Sequence, residues 1–405
     1  MPFTIMKKVI FYSRLQVGNQ GRRQMANILD YILWRGDLNF EKAPFNEVDN
    51  LIFAKLSYLN LRGIVEKTEG RGIPLHRVAK IYFEEERDKE RNTGDLTGES
   101  FFKLLKLMAD SERYRNVKIK MYVDQMNVEE EMQFAALTVD LGNHQLYVAY
   151  RGTDDTLVGW KEDFKMSVMD IVPAQREALA YLKQVAMRYR GYKLYIGGHS
   201  KGGNLAVFSA VHASDAIRKR ILCVYNNDGP GFKETLIDTK AYQSIAERIV
   251  TFVPQSSVIG MLLEHEEDYM VIQSNQKGFL QHDGFSWEVC GPSFIHLQKI
   301  NPEGQIVDRT IKRFLDGVSI EQREQFTNTL FDILSTNEKK TLTDIRNDSF
   351  KSVIAMIKTY DQLEKDTKKA IVDTLGLLVT ESIRSIWELK GPKEKDSKLI
   401  KGKNS

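Results

Sequence analysis

The chain has 405 residues, of which 42% are hydrophobic and 28% are charged, and its formal net charge is +3. A chain of this size can bury a large core, so we expect one large domain with helical additions. The charge is nearly balanced and no basic stripe is interleaved with aromatic residues, which argues against a nucleic-acid partner. The longest apolar run, near Val258 to Leu263, is too short to span a membrane.

The two cysteines, Cys223 and Cys290, lie far apart in apolar settings. We expect both to be reduced core residues, which favours a cytoplasmic location. We expect no metal and no cofactor, and the carboxyl-terminal region has neither a Cys/His cluster nor a glycine-rich phosphate loop. The sequence leaves the oligomeric state open.

Residues 1–24 lack periodicity after a strand-like piece, and they lack the apolar region and cleavage site of a signal peptide. We predict that they are either disordered or a mis-assigned start. In the second case Met25 begins the protein, because Gly21-Arg-Arg-Gln24 is what a purine-rich ribosome-binding sequence would encode.

Residues 25–115 are predicted to form a helical region that packs on the core. Apolar residues recur every three or four positions over Ile28 to Trp34 and Glu47 to Leu59, which indicates amphipathic helices. Two further helices are predicted near 73–91 and 100–110.

Residues 116–300 are predicted to form an α/β core. Alternating apolar residues indicate strands at 117–123, 132–139 and 145–150, and a predicted helix at 173–189 then leads to a strand at 192–196. This order of elements is typical of a sheet flanked by helices.

The segment Tyr195-Ile-Gly-Gly-His-Ser-Lys-Gly-Gly-Asn204 contains G-x-S-x-G between a predicted strand and a predicted helix. This pattern is typical of a nucleophile elbow, in which Ser200 is the nucleophile and Gly198, His199 and Gly202 complete the turn. A side chain at either glycine would collide across the tight turn. The pattern also occurs by chance in loops, but the flanking elements favour a catalytic serine.

A second segment carries a resemblance to a known family. Val148-Ala-Tyr-Arg-Gly-Thr-Asp-Asp-Thr-Leu-Val-Gly-Trp-Lys-Glu-Asp163 resembles the R-G-[ST] … W-x-x-D segment of the class 3 lipases. Over roughly Met25 to Gly291 the chain is similar to the bacterial Mbeg1-like family, a lipase-like branch of the α/β hydrolases. The residues that carry this likeness are Asp30 to Trp34, Pro44 to Leu51, Gly197 to Asn204, Asn227 to Phe232 and Gln281 to Trp287. The resemblance implies an α/β-hydrolase fold, with a mostly parallel central sheet flanked by helices and helical additions at both ends.

A serine nucleophile needs an imidazole base, and hydrolases of this fold follow the chain order Ser, acid, His. His282 is our candidate, because it follows the strand predicted at 269–274 and its place matches the lipase pattern. The alternative for His282 is a hydrogen-bonded loop histidine. His212 points away from the serine on the elbow helix, and His265 precedes the strand at the wrong end.

The catalytic acid departs from the lipase pattern. Ser256 and Ser257 occupy the place where the resemblance implies an aspartate. Asp228, at the carboxyl end of the strand predicted at 221–226, is our candidate for a displaced acid. Two alternatives remain, namely that Asp228 caps its own loop or that Ser257 assists a Ser-His dyad. Asp283 is poorly placed to reach the imidazole of its sequence neighbour.

The backbone N–H groups of Lys201 and Thr153 are predicted to form the oxyanion hole. We interpret Arg151 and Asp163 as a structural salt bridge that fixes the loop containing Thr153. The apolar residues of Asp154 to Ile171 indicate either a lid over an acyl pocket or a helical turn packed on the core.

Residues 301–389 are predicted to be a helical cap or interaction segment, and 390–405 a flexible basic tail. Together these features predict a serine hydrolase that cleaves carboxylic esters through an acyl-enzyme on Ser200. Its substrate would be a small-molecule or lipid ester, and transient contact with a membrane surface is compatible with the sequence. The alternative is a catalytically weak hydrolase-like protein that acts as a binding or interaction module.

Overall fold

The computed structural model describes residues 26–65, 71–86, 98–127, 129–130, 132–153, 166, 171–232, 234–237, 239–257, 260, 269–302, 304–306 and a few isolated positions beyond them. The helices in these ranges are α1 (Ile28–Arg35), α2 (Glu47–Leu56), α3 (Leu75–Glu84), α4 (Gly98–Asp110), α5 (Pro173–Arg188), α6 (Lys201–His212), α7 (Asp215–Arg218), α8 (Glu234–Ile237) and α9 (Lys240–Gln243). The strands are β1 (Ile73–Pro74), β2 (Lys118–Asn127), β3 (Met132–Gly142), β4 (Gln145–Tyr150), β5 (Lys193–His199), β6 (Ile221–Asn227), β7 (Ile249–Pro254), β8 (Met270–Ile272), β9 (Val289–Cys290), β10 (Ser293–Phe294) and β11 (His296–Leu297).

Nine of these strands form one sheet, in the order β1-β2-β3-β4-β5-β6-β7-β8-β11. The strands from β4 to β8 pair in parallel, whereas β1 to β4 and β8 with β11 pair antiparallel. Parallel neighbours need a crossover, which α5 supplies between β4 and β5 and α6 supplies between β5 and β6. The carboxyl ends of the central strands therefore meet at one edge, where the loops after them lie together.

The sheet separates two hydrophobic layers. On β4, Leu146 and Val148 pack with α5 and α6, whereas Tyr147 and Ala149 pack with α1, α2 and α4. This alternation follows from the two-residue period of a strand, and β4 has no charged or amide side chain from Leu146 to Tyr150 because both faces are covered. The predicted parallel central sheet with helices on both sides is confirmed.

The amino-terminal helices α1 to α4 share one hydrophobic core with the sheet. Asn27 and Asn46 cap α1 and α2, and in each helix the carboxylate of the aspartate at the third position accepts a hydrogen bond from the backbone N–H of the cap residue. The carboxylate of Asp49 is fully buried and accepts hydrogen bonds from Nε of Arg113 at 2.8 Å and from the Tyr114 hydroxyl at 2.5 Å. In this ion pair of Arg113 and Asp49, each buried charge neutralises the other, and the pair fixes the chain after α4 against α2.

The two cysteines are free, but only one lies in the core. Cys223 on β6 is buried, and burial raises the pKa of its thiol to about 12. Cys290 was predicted to be a core residue and is exposed. The prediction was wrong because Cys290 alternates with Val289, which takes the buried face of β9.

Several predictions fall outside the described residues: the start at residues 1–24, the basic tail at 390–405 and most of the helical region at 301–389. None of the helices in the described ranges is long and apolar enough to cross a lipid bilayer.

Candidate active site

Ser200 lies between the last residue of β5 and the first residue of α6, with φ 60° and ψ −133°. A positive φ is uncommon for a residue with a side chain and costs about 1–3 kcal/mol, so the surrounding structure must enforce it. Two hydrogen bonds do so: the Ser200 N–H donates to Asn227 O at 2.9 Å, and its carbonyl accepts from the Gly203 N–H at 2.8 Å. Ser200 therefore lies in a strained strand–turn–helix connection, which is the backbone geometry that a nucleophile elbow requires.

Gly198 and Gly202 are required by close approach of the backbone rather than by a positive φ. A Cβ atom on Gly198 would lie 2.3 Å from the carbonyl of Gly202, and one on Gly202 would lie 2.2 Å from Tyr150 O. Real Cβ atoms do not approach backbone atoms this closely. Both glycines therefore allow the end of β4, the elbow and the first turn of α6 to pack together.

The structure brings His282 and Asp228 together. Nδ1 of His282 lies 2.7 Å from Oδ2 of Asp228, although 54 residues separate them. Asp228 is fully buried at the end of β6 with φ 55°, and its N–H donates to Phe252 O on the neighbouring strand. The Asn227 carbonyl accepts from Ser200, so the same short segment holds the serine and presents the carboxylate to the histidine.

Ser257 follows β7 and contacts the Asp228 carboxylate. Its hydroxyl donates to Oδ1 of Asp228, the carboxylate oxygen not bonded to His282, and accepts from the Gly260 N–H at 2.9 Å. Both oxygens of the buried Asp228 carboxylate therefore have side-chain hydrogen-bond partners.

Asn227 and Asn50 form a buried amide pair behind the elbow. Nδ2 of Asn50 donates to Oδ1 of Asn227 at 2.8 Å, and Nδ2 of Asn227 donates to Gly198 O at 2.8 Å. The hydroxyl of Tyr147 donates to Oδ1 of Asn50 at 2.8 Å. These bonds connect α2, β4 and β6 to the strand that carries the serine.

His282 ends a short 3-10 helix, Gly278–His282, and neighbouring side chains hold this turn. The Gln281 carbonyl accepts from the indole N–H of Trp287 at 2.9 Å, and its side-chain oxygen accepts from the Ser256 N–H at 3.0 Å. Asp283 pairs with Lys55 of α2 at 3.3 Å. The sequence indicates that Asp283 is poorly placed to reach the His282 imidazole, and in the structure its carboxylate contacts Lys55 instead.

The side chain of His199 lies against the 3-10 turn that ends at His282. Its Nε2 is 2.7 Å from the His282 carbonyl oxygen, and the two imidazole centroids are 4.7 Å apart. The Tyr58 hydroxyl lies 3.3 Å from Nδ1 of His199. Burial, followed by the charge of Lys55 and then by His282, lowers the pKa of His199 well below its usual value of 6.5.

The loop after β4 carries Arg151, Gly152 and Thr153 past the elbow. A Cβ atom on Gly152 would lie 2.4 Å from His199 O, which shows how closely this loop approaches the elbow. Thr153 is buried, and the chain beyond it lies outside the described residues until Met166, which is also buried. The predicted lid over Asp154 to Ile171 therefore falls largely in the range that is not described.

Arg151 forms a salt bridge that was not predicted. Its guanidinium donates to both carboxylate oxygens of Asp124 on β2, at 3.0 and 3.3 Å. The register of the sheet explains this contact, because Ala135 pairs with Asp124 and its carbonyl also accepts from the Arg151 N–H. Asp163 lies outside the described residues.

The side chain of Lys201 is fully buried, and its Nζ donates to Gln133 O on β3 at 3.0 Å. This contact connects the first residue of α6 to the strand beyond β4. Within the described ranges no group of three or more His, Cys, Asp or Glu side chains could hold a metal ion.

Sequence reasoning selected Ser200, His282, Asp228, Thr153 and Lys201, and the structure places them at the carboxyl edge of β4 to β6 or in the turn beside it. His212 bonds to Phe208 O within its own helix, and His265 lies outside the described residues. Sequence reasoning missed Lys55 and Tyr58. They belong to α2 and the turn after it, and no local motif marks them.

A central sheet with parallel strands covered by helices, a serine between strand and helix, and a carboxylate and a histidine on later loops are typical of an α/β-hydrolase fold. A sequence model of the Mbeg1-like family matches residues 108–332, which is more than half of the chain. The chain belongs to the Mbeg1-like family. The match begins later than the likeness proposed from residue 25 and continues beyond Gly291. No curated protein matches the chain.

Solved lipase structures are similar to parts of the chain. The Rhizomucor miehei lipase propeptide complex has 16% identity and a TM-score of 0.29, with 39% of this chain and 57% of that chain covered. The chain therefore spans less than two thirds of that lipase. Lipase II from Rhizopus niveus has 12% identity and a TM-score of 0.31, with coverage of 53% and 82%.

Proposed function

We propose that the protein is a serine hydrolase that cleaves carboxylic esters through an acyl-enzyme on Ser200. The observation that carries the proposal is the 2.7 Å contact between His282 and Asp228, beside a serine held at φ 60°. The proposal concerns the reaction, since a lipase-like fold supports many chemistries and does not by itself define one.

The contact with Asp228 defines how His282 acts. An ionised carboxylate only accepts hydrogen bonds, so Nδ1 of His282 carries the proton of the neutral ring. Nε2 then has the lone pair that can remove the proton from a serine hydroxyl. Asp228 holds this tautomer and stabilises the imidazolium that forms, without taking the proton itself.

The reaction proceeds in two halves. Ser200 Oγ attacks the ester carbonyl while its proton passes to His282, and the N–H groups of Lys201 and Thr153 bind the developing oxyanion. The imidazolium returns the proton to the departing alkoxide, which leaves as an alcohol and gives an acyl-serine. A water molecule, deprotonated by His282, then attacks the acyl group. Carboxylic acid is released and Ser200 regains its proton.

The substrate class is a small-molecule or lipid ester, and we propose no nucleic-acid partner. A cytoplasmic location and a bacterial origin belong to this proposal as well. They rest on the cysteine content and on the resemblance, rather than on the geometry of the site.

Labelling with a fluorophosphonate probe tests the proposal, since the probe phosphonylates an activated serine. The wild-type protein should be labelled and should hydrolyse short p-nitrophenyl esters, and Ser200→Ala should do neither while keeping its far-UV circular dichroism. Ser209→Ala is the matched control, because Ser209 is a buried serine of α6 whose hydroxyl donates to the Ala206 carbonyl, away from the elbow. A folded wild-type protein without labelling or turnover would favour the interaction module instead.

A further inference from the structure

We propose that His199, the neighbour of the nucleophile, is a positioning residue. It fixes the 3-10 turn Gly278–His282 by donating a hydrogen bond to the backbone carbonyl of His282. This inference rests on the proposed function of Ser200 and His282. It gives the variable position of the elbow motif a specific task, because His199 connects the backbone of the nucleophile to the backbone of the base.

The direction of the hydrogen bond follows from its acceptor. A carbonyl oxygen can only accept, so the 2.7 Å contact requires the His199 proton on Nε2. In the neutral ring Nδ1 is then an acceptor, and it faces the Tyr58 hydroxyl at 3.3 Å. The ring is buried and both of its nitrogen atoms have partners, so one tautomer is held in place.

Lys55 keeps a positive charge beside this ring. Its ammonium group is buried, pairs with Asp283, and lies 5.3 Å from the ring centroid of Phe285 and 5.5 Å from that of Tyr58. A second positive charge on His199 would be unfavourable next to it, in agreement with the lowered pKa of His199. His199 is therefore a neutral hydrogen-bond donor at pH values above 6.5, the usual pKa of histidine.

These contacts anchor the base from two sides. Asp228 holds the ring of His282 through Nδ1, and His199 holds its carbonyl oxygen. With the carbonyl anchor missing, the ring could follow Asp228 while the turn shifts relative to Ser200. Proton transfer depends steeply on this geometry, whereas the His199 side chain is buried and is not proposed to bind the ester. We therefore expect a loss in kcat with little change in KM.

Three substitutions at one position separate the donor from the shape of the side chain. In His199→Gln the amide nitrogen reaches the place of Nε2 and can donate to His282 O. In His199→Asn it reaches only the place of Nδ1, and His199→Phe keeps a ring without a donor. With a p-nitrophenyl ester, the Gln variant should keep kcat within about threefold of wild type. The Asn and Phe variants should lose about 10- to 100-fold in kcat with KM nearly unchanged.

A second measurement does not depend on turnover. The proton that His282 shares with Asp228 should give a downfield NMR resonance in the wild type and in His199→Gln, and it should broaden or shift in the Asn and Phe variants. Equal activity in all folded variants, or equal losses for Gln and Phe, would overturn the positioning role. A wild-type protein that shows the resonance but neither labels nor turns over would instead contradict the proposed function, and the resonance would still test the contact.

Discussion

The hydroxyl of Ser257 donates to Oδ1 of Asp228, while Oδ2 of the same carboxylate accepts from His282. Asp228 follows β6 and Ser257 follows β7, and these strands are parallel neighbours, so the loops after them meet at the same edge. A carboxylate in the loop after β6 can therefore reach the same histidine, His282, as a carboxylate in the loop after β7. Ser257, at the position where the resemblance implies the acid, supports the displaced carboxylate.

This arrangement predicts an order of effects on ester hydrolysis. Relative to wild type, kcat/KM should fall by about 10⁶-fold in His282→Ala and about 10⁴-fold in Asp228→Asn, because the base moves the proton and the acid orients the base. Ser257→Ala removes one hydrogen bond and should cost less than about tenfold. Initial rates measure the series. His265→Ala is the control. If His265→Ala lost its activity while His282→Ala kept a nearly normal kcat/KM, the base would be His265 rather than His282.

A second prediction concerns stability and pH. The pKa of His199 is lowered in the folded protein, so below the unfolded value of about 6.5 the unfolded chain takes up a proton that the folded protein does not. The free energy of unfolding then falls as the pH falls from 6.5 toward the folded pKa, by up to about 1.4 kcal/mol per pH unit. This pH dependence of the free energy of unfolding is absent above pH 6.5, and it should be absent at all pH values in His199→Gln. Urea unfolding of both proteins at pH 7.5 and 5.5 measures it, and parallel changes would contradict it.

The elbow could be predicted from sequence because its physical requirements are local. Gly198, Ser200 and Gly202 lie within five positions, and the strand and helix that flank them have clear periodicity. The role of Asp228 was left open, because its contact with His282 spans 54 residues and depends on which strands are neighbours. Lys55 and Tyr58 were missed for the same reason. Their contacts depend on how α2 packs against the sheet.

The salt bridge between Arg151 and Asp124 is a contact that no local motif indicates. The sequence predicts a salt bridge with Asp163, which lies outside the described residues, whereas Asp124, the partner in the structure, is two strands away in the sheet. The antiparallel register of β2, β3 and β4 brings Asp124 beside the end of β4. Such pairings follow from the register, and alternation of apolar residues predicts strands without defining it.

The segment Asp154 to Ile171 provides a third prediction, which rests on sequence. If it is a lid, its apolar residues cover the site in water and separate from it at an aggregated substrate. Activity on a long-chain ester should then rise above the critical aggregation concentration. Replacing both Phe164 and Met169 with serine should reduce long-chain more than short-chain turnover. Rates proportional to monomer concentration, with the same chain-length preference in the variant, would indicate ordinary packing.

The last prediction uses the buried pair of Arg151 and Asp124. The two side chains are 8% and 13% exposed, so Asp124→Asn would leave the Arg151 guanidinium with a weakened partner in a poorly solvated place. We expect a loss of about 3 kcal/mol in the free energy of unfolding. The loop from Arg151 to Thr153 should also lose its fixed position, and because Thr153 is proposed to bind the oxyanion, kcat should fall about 10- to 100-fold.

Lys80→Gln is the matched control for this pair. Lys80 and Glu84 form an ion pair on the surface of α3, with side chains 72% and 62% exposed. Solvent screens such a pair, so its removal should change stability by less than about 0.5 kcal/mol and leave kcat unchanged. Urea unfolding and steady-state kinetics of the two variants distinguish the effects. If Asp124→Asn behaved like Lys80→Gln in both measurements, Arg151 would not be what fixes the loop beside Ser200.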